Sequence, residues 1–130
     1  RLIGHAVSLS AGCRYCQAHT GHGAVEQGID QAKLDALYDF ENSDAFTEGE
    51  RAALALAFAS GAQPNGASDA HFERLREHYS EKEQVESIAV ISMFGFLNRW
   101  NDTLATTLED IPTAFATKEL ASNGWNKGAH

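Results

Sequence analysis

The chain has 130 residues, of which 43% are apolar and 22% are charged, and this composition predicts one folded domain with its own core. Eighteen acidic residues against ten basic ones give a net charge of −8, and the basic residues form no cluster, which argues against nucleic acid and membrane surfaces as partners. No apolar stretch is long enough to span a membrane, and the first residues lack the regions of a signal peptide. We therefore expect a cytoplasmic protein.

The amino-terminal third predicts three helices. The first covers residues 2–10 and follows directly on Arg1 rather than on a methionine, so we expect a truncated N-terminus. The second begins at Cys13 and ends near Gly28, and Asp30 is placed to cap a short third helix. These elements are expected to form a compact cluster.

The centre of the chain predicts a buried helix followed by a more exposed one. Thr47 and Glu50 have the spacing of a capping box before residues 52–59, whose Ala, Leu and Phe content is typical of a core helix. Ser68 or Asp69 is expected to cap the next helix, over residues 72–79, which is rich in charge.

The longest predicted helix begins at a second capping box, Ser80 and Glu83, and carries an apolar stripe to about Leu108. Residues 111–130 turn to Ala, Thr, Gly, Asn and Lys, and we expect either an exposed arm or a segment that wraps a neighbour. The chain is thus predicted to be an all-α domain of about six helices over residues 1–110, with a tail over 111–130.

Both cysteines of the chain lie in one short segment, at Cys13 and Cys16, with His19 three residues further on. Residues i and i+3 share one face of a helix, so the two sulfurs can form a disulfide, and His19 can exchange a proton with them. Gly12 breaks the preceding helix, which places Cys13 near a helix N-terminus that favours a thiolate. Two inert buried cysteines, or a structural disulfide, are the alternatives.

A metal site is a further alternative, because Cys13, Cys16, His19 and His22 are spaced by three residues. On one helix these four positions rise by roughly 13 Å and turn through nearly half a revolution, which excludes a single zinc ion with bonds of about 2 Å. A thioredoxin-like site would follow a β-strand, and the sequence predicts none. We expect neither a metal nor an organic cofactor.

Residues 8–19 resemble the active-site segment of alkylhydroperoxidase D-like proteins of the carboxymuconolactone decarboxylase superfamily, and the resemblance extends over residues 2–108. It implies an all-α domain assembled as a trimer, a hexamer or another ring. It also implies an antioxidant enzyme that reduces hydroperoxides, or exchanges dithiols and disulfides, with an external thiol or dithiol as reductant. Within it Cys16 would be the attacking cysteine, Cys13 the resolving cysteine and His19 the proton relay.

The sequence departs from the family pattern at two positions. The family often has its histidine where this chain has Thr20, and its upstream relay glutamate aligns with Arg1. Either the acid is lost or the chain was cut there. With the acid lost, dithiol exchange would outrank peroxide reduction.

Two other functions stay open. A carboxymuconolactone-type decarboxylase could use His5, Arg99 and His19, but it would not need two cysteines. In a non-catalytic oligomeric module the cysteines would only pack. Asn98 and Arg99 are expected to be a satisfied pair on a helix face, with pocket lining as the alternative, and Phe94, Phe96 and Trp100 are expected in a core or a subunit interface.

Overall fold

The computed structural model describes residues 1–128 and contains seven α-helices and two short 3₁₀ helices within that range. No β-strand is present among these residues, which confirms the predicted all-α class. In chain order the α-helices are α1 Leu2–Ala11, α2 Arg14–Glu26, α3 Gln31–Asp35, α4 Glu48–Gly61, α5 Asp69–Arg76, α6 Glu81–Leu104 and α7 Asp110–Glu119.

Local capping chemistry explains most helix boundaries. Both predicted capping boxes are present. The side chains of Thr47 and Ser80 accept hydrogen bonds from the backbone N–H groups of Glu50 and Glu83, whose carboxylates accept from the backbone N–H groups of Thr47 and Ser80. Helix α5 begins three residues earlier than predicted, since Ser68 is its N-cap. Helix α6 ends at Leu104 rather than near residue 108, because Ala105 adopts a left-handed conformation with φ 49°.

The larger core lies between α1, α4, α5 and α6. Helix α4 supplies most of it, as predicted, and its leucines Leu54 and Leu56 are each 1% exposed. Burying one leucine side chain contributes roughly 2–3 kcal/mol. At Gly61 a Cβ atom would lie only 3.0 Å from the Val7 carbonyl oxygen, so glycine there allows α1 to approach α4 closely.

The smaller core joins α2 to the C-terminal segment. Helix α7 packs on α2, and Ala116, Leu120 and Trp125 are buried beside it. The Trp125 indole N–H donates to the carbonyl of Arg14 at 3.0 Å. Residues 111–128 of the predicted tail, the part that the structure describes, therefore pack against α2 in their own chain, and the last two residues of the tail lie outside the described range.

Helix α6 carries the predicted apolar stripe, but most of that stripe is exposed in the single chain. Only Ile91 and Asn98 of its residues are buried, whereas large apolar side chains elsewhere on it lie on the surface. The exposed ones are Val85, Ile88, Met93, Phe96, Trp100 and Leu104. Within the described range, no helix combines the length and the apolar composition that a membrane span requires.

Candidate active site

The cysteine pair lies at the junction between α1 and α2. Gly12 ends α1 in a left-handed conformation, and its N–H donates to the Leu9 carbonyl. Cys13 follows with extended backbone as the N-cap of α2, and its Sγ accepts a hydrogen bond from the Cys16 backbone N–H at 3.4 Å. The sulfur of Cys13 thus occupies the position that a serine or aspartate oxygen usually takes at a helix start.

The two cysteines differ in the direction of their pKa shifts. The pKa of Cys13 is lowered, first by the hydrogen bond from the Cys16 thiol and also by the Cys16 backbone N–H, against the opposing effects of burial and of Asp102. The pKa of Cys16 is raised, first by Cys13 and then by burial, although the Asn101 amide opposes this. The arrangement therefore favours a thiolate at Cys13 and a thiol at Cys16.

Both cysteines are free thiols and both are buried, with Cys13 1% and Cys16 5% exposed. The side chains that act on them from outside α2 belong to α6. The Asn101 amide nitrogen lies 3.8 Å from the Cys16 sulfur, and the Asp102 carboxylate raises the pKa of each cysteine. These two residues also line a small cleft of about 60 Å³, together with Tyr15 and Arg14.

His19 lies one turn beyond Cys16, as its spacing predicts, but its ring is directed to a different partner. Its Nε2 atom is 2.7 Å from the Glu109 carboxylate, which also accepts a hydrogen bond from the Tyr15 hydroxyl at 3.2 Å. The Tyr15 and His19 ring centroids are 4.5 Å apart. Across residues 1–128, His19 makes no hydrogen bond to either cysteine.

Glu109 places a carboxylate beside His19. It is the N-cap of α7, and its pKa is lowered by its own backbone N–H and then by His19 and Tyr15. The exposed group formed by Tyr15, His19 and Glu109 therefore joins α2 to α7. Nothing in the local sequence around Glu109 signals this role, because the contact spans 90 residues.

A second histidine approaches the motif from the buried side. His5 is fully buried in α1, and its Nδ1 lies 2.7 Å from the Thr20 hydroxyl, which donates to the Cys16 carbonyl at 2.6 Å. Because that hydroxyl has one proton, His5 Nδ1 must donate to it, which leaves Nε2 as a buried acceptor with no partner in the described chain. Burial lowers the pKa of His5 to about 4.

Residues 1–59 match the carboxymuconolactone decarboxylase family. YdfG of Bacillus subtilis strain 168, an uncharacterised protein, is 30% identical over 102 residues, which cover 77% of this chain and 67% of YdfG. The chain belongs to the carboxymuconolactone decarboxylase family. YnjA of Escherichia coli K12, also uncharacterised, is 28% identical over 111 residues, which cover 85% of this chain and 58% of YnjA.

Three solved structures share the fold. The debrominase Bmp8 is 40% identical with a TM-score of 0.82, covering 87% of this chain and 61% of Bmp8. A cysteine-to-alanine variant of Bmp8 bound to 2,3,4-tribromopyrrole is 38% identical with a TM-score of 0.84, covering 90% and 63%. ATU0492 of Agrobacterium tumefaciens, a protein of unknown function proposed to be the antioxidant defence protein AhpD, is 26% identical with a TM-score of 0.78, covering 84% and 75%.

These similarities confirm the expected alkylhydroperoxidase D-like fold and family. The chain spans about three fifths of the length of Bmp8 and of YnjA. Of the site, sequence reasoning placed Cys13, Cys16 and His19 on the first two turns of α2, and it missed Asn101, Asp102 and Glu109. The only signal for the first two was their place on the helix that carries Asn98.

Proposed function

We propose that this protein is a cysteine-pair oxidoreductase in which Cys13 and Cys16 alternate between a dithiol and a disulfide. The observation that carries the proposal is the position of the Cys13 sulfur, which caps the start of α2 and accepts a hydrogen bond from the Cys16 backbone N–H. A thiolate next to a protonated partner thiol has the two components that disulfide formation needs.

A hydroperoxide is the first substrate class we propose. The Cys13 thiolate attacks the terminal oxygen, the O–O bond breaks, and the leaving alkoxide takes the proton of the Cys16 thiol. Cys13 is then a sulfenic acid, and the new Cys16 thiolate attacks its sulfur, forms the disulfide and releases hydroxide. The hydroxide takes up the proton that Cys13 gave to the solvent when it ionised, and water forms. The net reaction oxidises two thiols and converts the hydroperoxide into an alcohol and water.

This order reverses the one that the family resemblance implies, in which Cys16 attacks. The reversal rests on the position of Cys13, whose sulfur caps α2 and accepts from the Cys16 backbone N–H. In the same direction, the pKa of Cys16 is raised by Cys13 and by burial, which disfavours a Cys16 thiolate while Cys13 is reduced. We retain His19 as the proton relay, oriented by Glu109, because it lies on the turn that follows Cys16.

A halogenated aromatic compound is the second substrate class, and the 40% identity to a debrominase is the observation that favours it. The same cysteine pair balances that reaction: two thiols are oxidised to a disulfide, a carbon–bromine bond becomes a carbon–hydrogen bond, and bromide and a proton are released. Either reaction requires an external thiol or dithiol to reduce the disulfide again. A cytoplasmic location stays a prediction.

A homo-oligomer is the assembly we propose, with the apolar face of α6 as the contact between copies. Phe96 and Trp100 form a ring pair with centroids 5.8 Å apart, and they are 63% and 57% exposed. With Leu104 they line an apolar hollow of about 600 Å³. Exposed apolar patches of this kind mark protein interfaces. Light scattering measures the mass of the wild type and of Trp100→Glu in solution. We expect an oligomer for the wild type and a smaller species for the variant, and a wild-type monomer would refute the proposal.

The test of function uses pre-reduced protein and one equivalent of either cumene hydroperoxide or tribromopyrrole. We expect substrate loss, alcohol or bromide release, and loss of two hydrogens from the intact protein mass, in equal amounts. Cys13→Ser and Cys16→Ser should each prevent disulfide formation. Decarboxylase activity that both cysteine variants retain in full would overturn the proposal in favour of a decarboxylase. Thiols that stay reduced with both substrates would overturn it in favour of a non-catalytic module.

A further inference from the structure

A cavity of about 290 Å³ lies where the second half of α6 meets α1 and the end of α4. We call it the Asn98 pocket, and it is defined by Val7, Ala11, Ser60, Gln63, Asn98 and Asp102. It contains neither cysteine nor His19 in its wall. Nothing in the proposed mechanism so far uses it.

Asn98 is the unusual residue of this pocket. Its side chain is 2% exposed, and neither its amide nitrogen nor its amide oxygen has a hydrogen-bond partner within residues 1–128. This corrects the expectation that Asn98 is a satisfied residue on a helix face. An unpaired buried amide destabilises the folded chain, whereas leucine of similar volume would not. The folded chain alone therefore gives no reason for asparagine at this position.

The charges around the pocket indicate what would pair with the amide. Arg99 and Asp102 both line it, and within the described chain neither forms an ion pair, so the two opposite charges balance. A carboxylate could accept from the Asn98 nitrogen, but it would leave the Asn98 oxygen unpaired and would face Asp102. A neutral group with a donor next to an acceptor would pair with both atoms of the amide.

We propose that the Asn98 pocket binds a small neutral ligand group of the carboxamide or lactam type. Asn98, Asn101 and Asp102 lie three and four residues apart, hence on one face of α6. Asn101 contacts the Cys16 sulfur, and the rise from Asn98 to Asn101 is about 4.5 Å. A group held at Asn98 thus lies about one helical turn along α6 from Asn101, the residue that contacts Cys16. The inference that this ligand group is the polar end of the redox substrate rests on the proposed redox function.

The binding test uses benzamide as the probe, with benzoate and toluene as ring-matched comparisons, measured by ligand-observed NMR. We expect benzamide to bind in preference to both. Asn98→Leu should weaken benzamide binding roughly tenfold or more while the thermal midpoint stays unchanged or rises, since an unpaired amide is removed. Asn123→Leu, the same change at an exposed asparagine outside the pocket, should alter neither.

A second variant keeps the test independent of how Asn98→Leu folds. Asp102→Asn removes the negative charge of the pocket and leaves Arg99, so it should increase benzoate binding several-fold while benzamide still binds. Equal binding of benzamide and toluene, or a benzoate affinity unaffected by Asp102→Asn, would overturn the proposal. So would an Asn98→Leu protein that loses stability or changes its mass in light scattering, because the amide would then serve folding or assembly.

Failure of the pocket and failure of the proposed function give different results. Cumene hydroperoxide has no carboxamide, and benzamide should inhibit its reduction by the wild type. Benzamide should not inhibit the Asn98→Leu variant. A wild type that binds benzamide and leaves hydroperoxides and bromopyrroles untouched would retain the pocket and refute the redox function. A wild type that oxidises its thiols yet shows no benzamide binding would refute the pocket alone.

Discussion

Helix α2 carries two polar groups of residues that differ in their access to water. On the inner side lie Cys13, Cys16, Thr20 and His5, which are linked by hydrogen bonds around the start of the helix. On the open side Glu109 joins Tyr15 and His19, whose side chain is 40% exposed. A buried hydrogen bond or charge changes a pKa strongly, whereas an exposed ion pair contributes little. We therefore expect the inner side to determine reactivity and the open side to adjust it.

The largest effect is expected from the cysteines themselves. Cys13→Ser removes the favoured thiolate, so the rate of hydroperoxide consumption should fall by roughly three orders of magnitude or more, to the background rate. Cys16→Ser should retain one round of sulfenic acid formation at Cys13 but form no intramolecular disulfide. Stopped-flow peroxide loss with intact mass measures both. Equal retention of the first step in Cys13→Ser would assign the attack to Cys16.

The buried side chain of His5 should make stability depend on pH. The pKa of His5 in the folded chain, about 4, lies below the value near 6.5 expected in the unfolded chain. Between these values the unfolded chain binds the additional proton, so the free energy of unfolding should fall as the pH decreases from about 6.5 to 4, by up to about 3 kcal/mol.

Urea unfolding across this pH window, on the wild type and on His5→Leu, measures that dependence. His5→Leu should flatten the curve, while His78→Leu, at an exposed histidine, should leave it unchanged. Equal pH dependence in all three proteins would show that His5 does not titrate as a buried neutral group.

A smaller gain of reactivity is expected at Asp102. Its carboxylate raises the pKa of Cys13 and of Cys16, so Asp102→Asn should lower both values and increase the thiolate fraction at neutral pH several-fold. Thiolate absorbance against pH measures the change, and Asp110→Asn on α7 serves as the charge-matched control. A decrease in thiolate would contradict this electrostatic interpretation.

The smallest effect is expected on the open side of α2. Glu109→Gln keeps the shape of the carboxylate but removes the charge beside His19, so turnover should fall only a few-fold. In a protein that already carries His19→Gln, the further change Glu109→Gln should reduce turnover less than it does in the wild type. A loss as large as that of Cys13→Ser would place the open side at the centre of the chemistry.

The sequence was sufficient where the signals are local. Capping boxes at Thr47 and Ser80, the buried leucines of α4 and the N-terminal position of Cys13 depend on residues close in the chain. The contact of His19 with Glu109, the approach of Asn101 to Cys16 and the packing of Trp125 on Arg14 depend on helices that meet only in the folded chain. For this reason local pattern could not predict them.

Two expectations for α6 were decided by the packing of the folded chain: the core alternative for Phe96 and Trp100 is excluded, and the subunit interface stays a prediction. The apolar stripe of α6 has the period of a core helix, yet Phe96 and Trp100 are exposed, because periodicity shows that a face is apolar and not which surface covers it. Asn98 was expected to be a satisfied residue on a face of the same helix, with pocket lining as the alternative. It is buried instead, since it lies opposite α1 and α4.

The most direct test of the inequality between the two sulfurs is an NMR titration of the reduced protein with isotope-labelled cysteine. The Cβ chemical shift of each residue reports its own protonation state, whatever its burial. We predict that Cys13 becomes a thiolate below the usual thiol pKa while Cys16 stays protonated throughout the neutral range. Deprotonation of Cys16 before Cys13, or of both together at an ordinary thiol pKa, would contradict the proposed site.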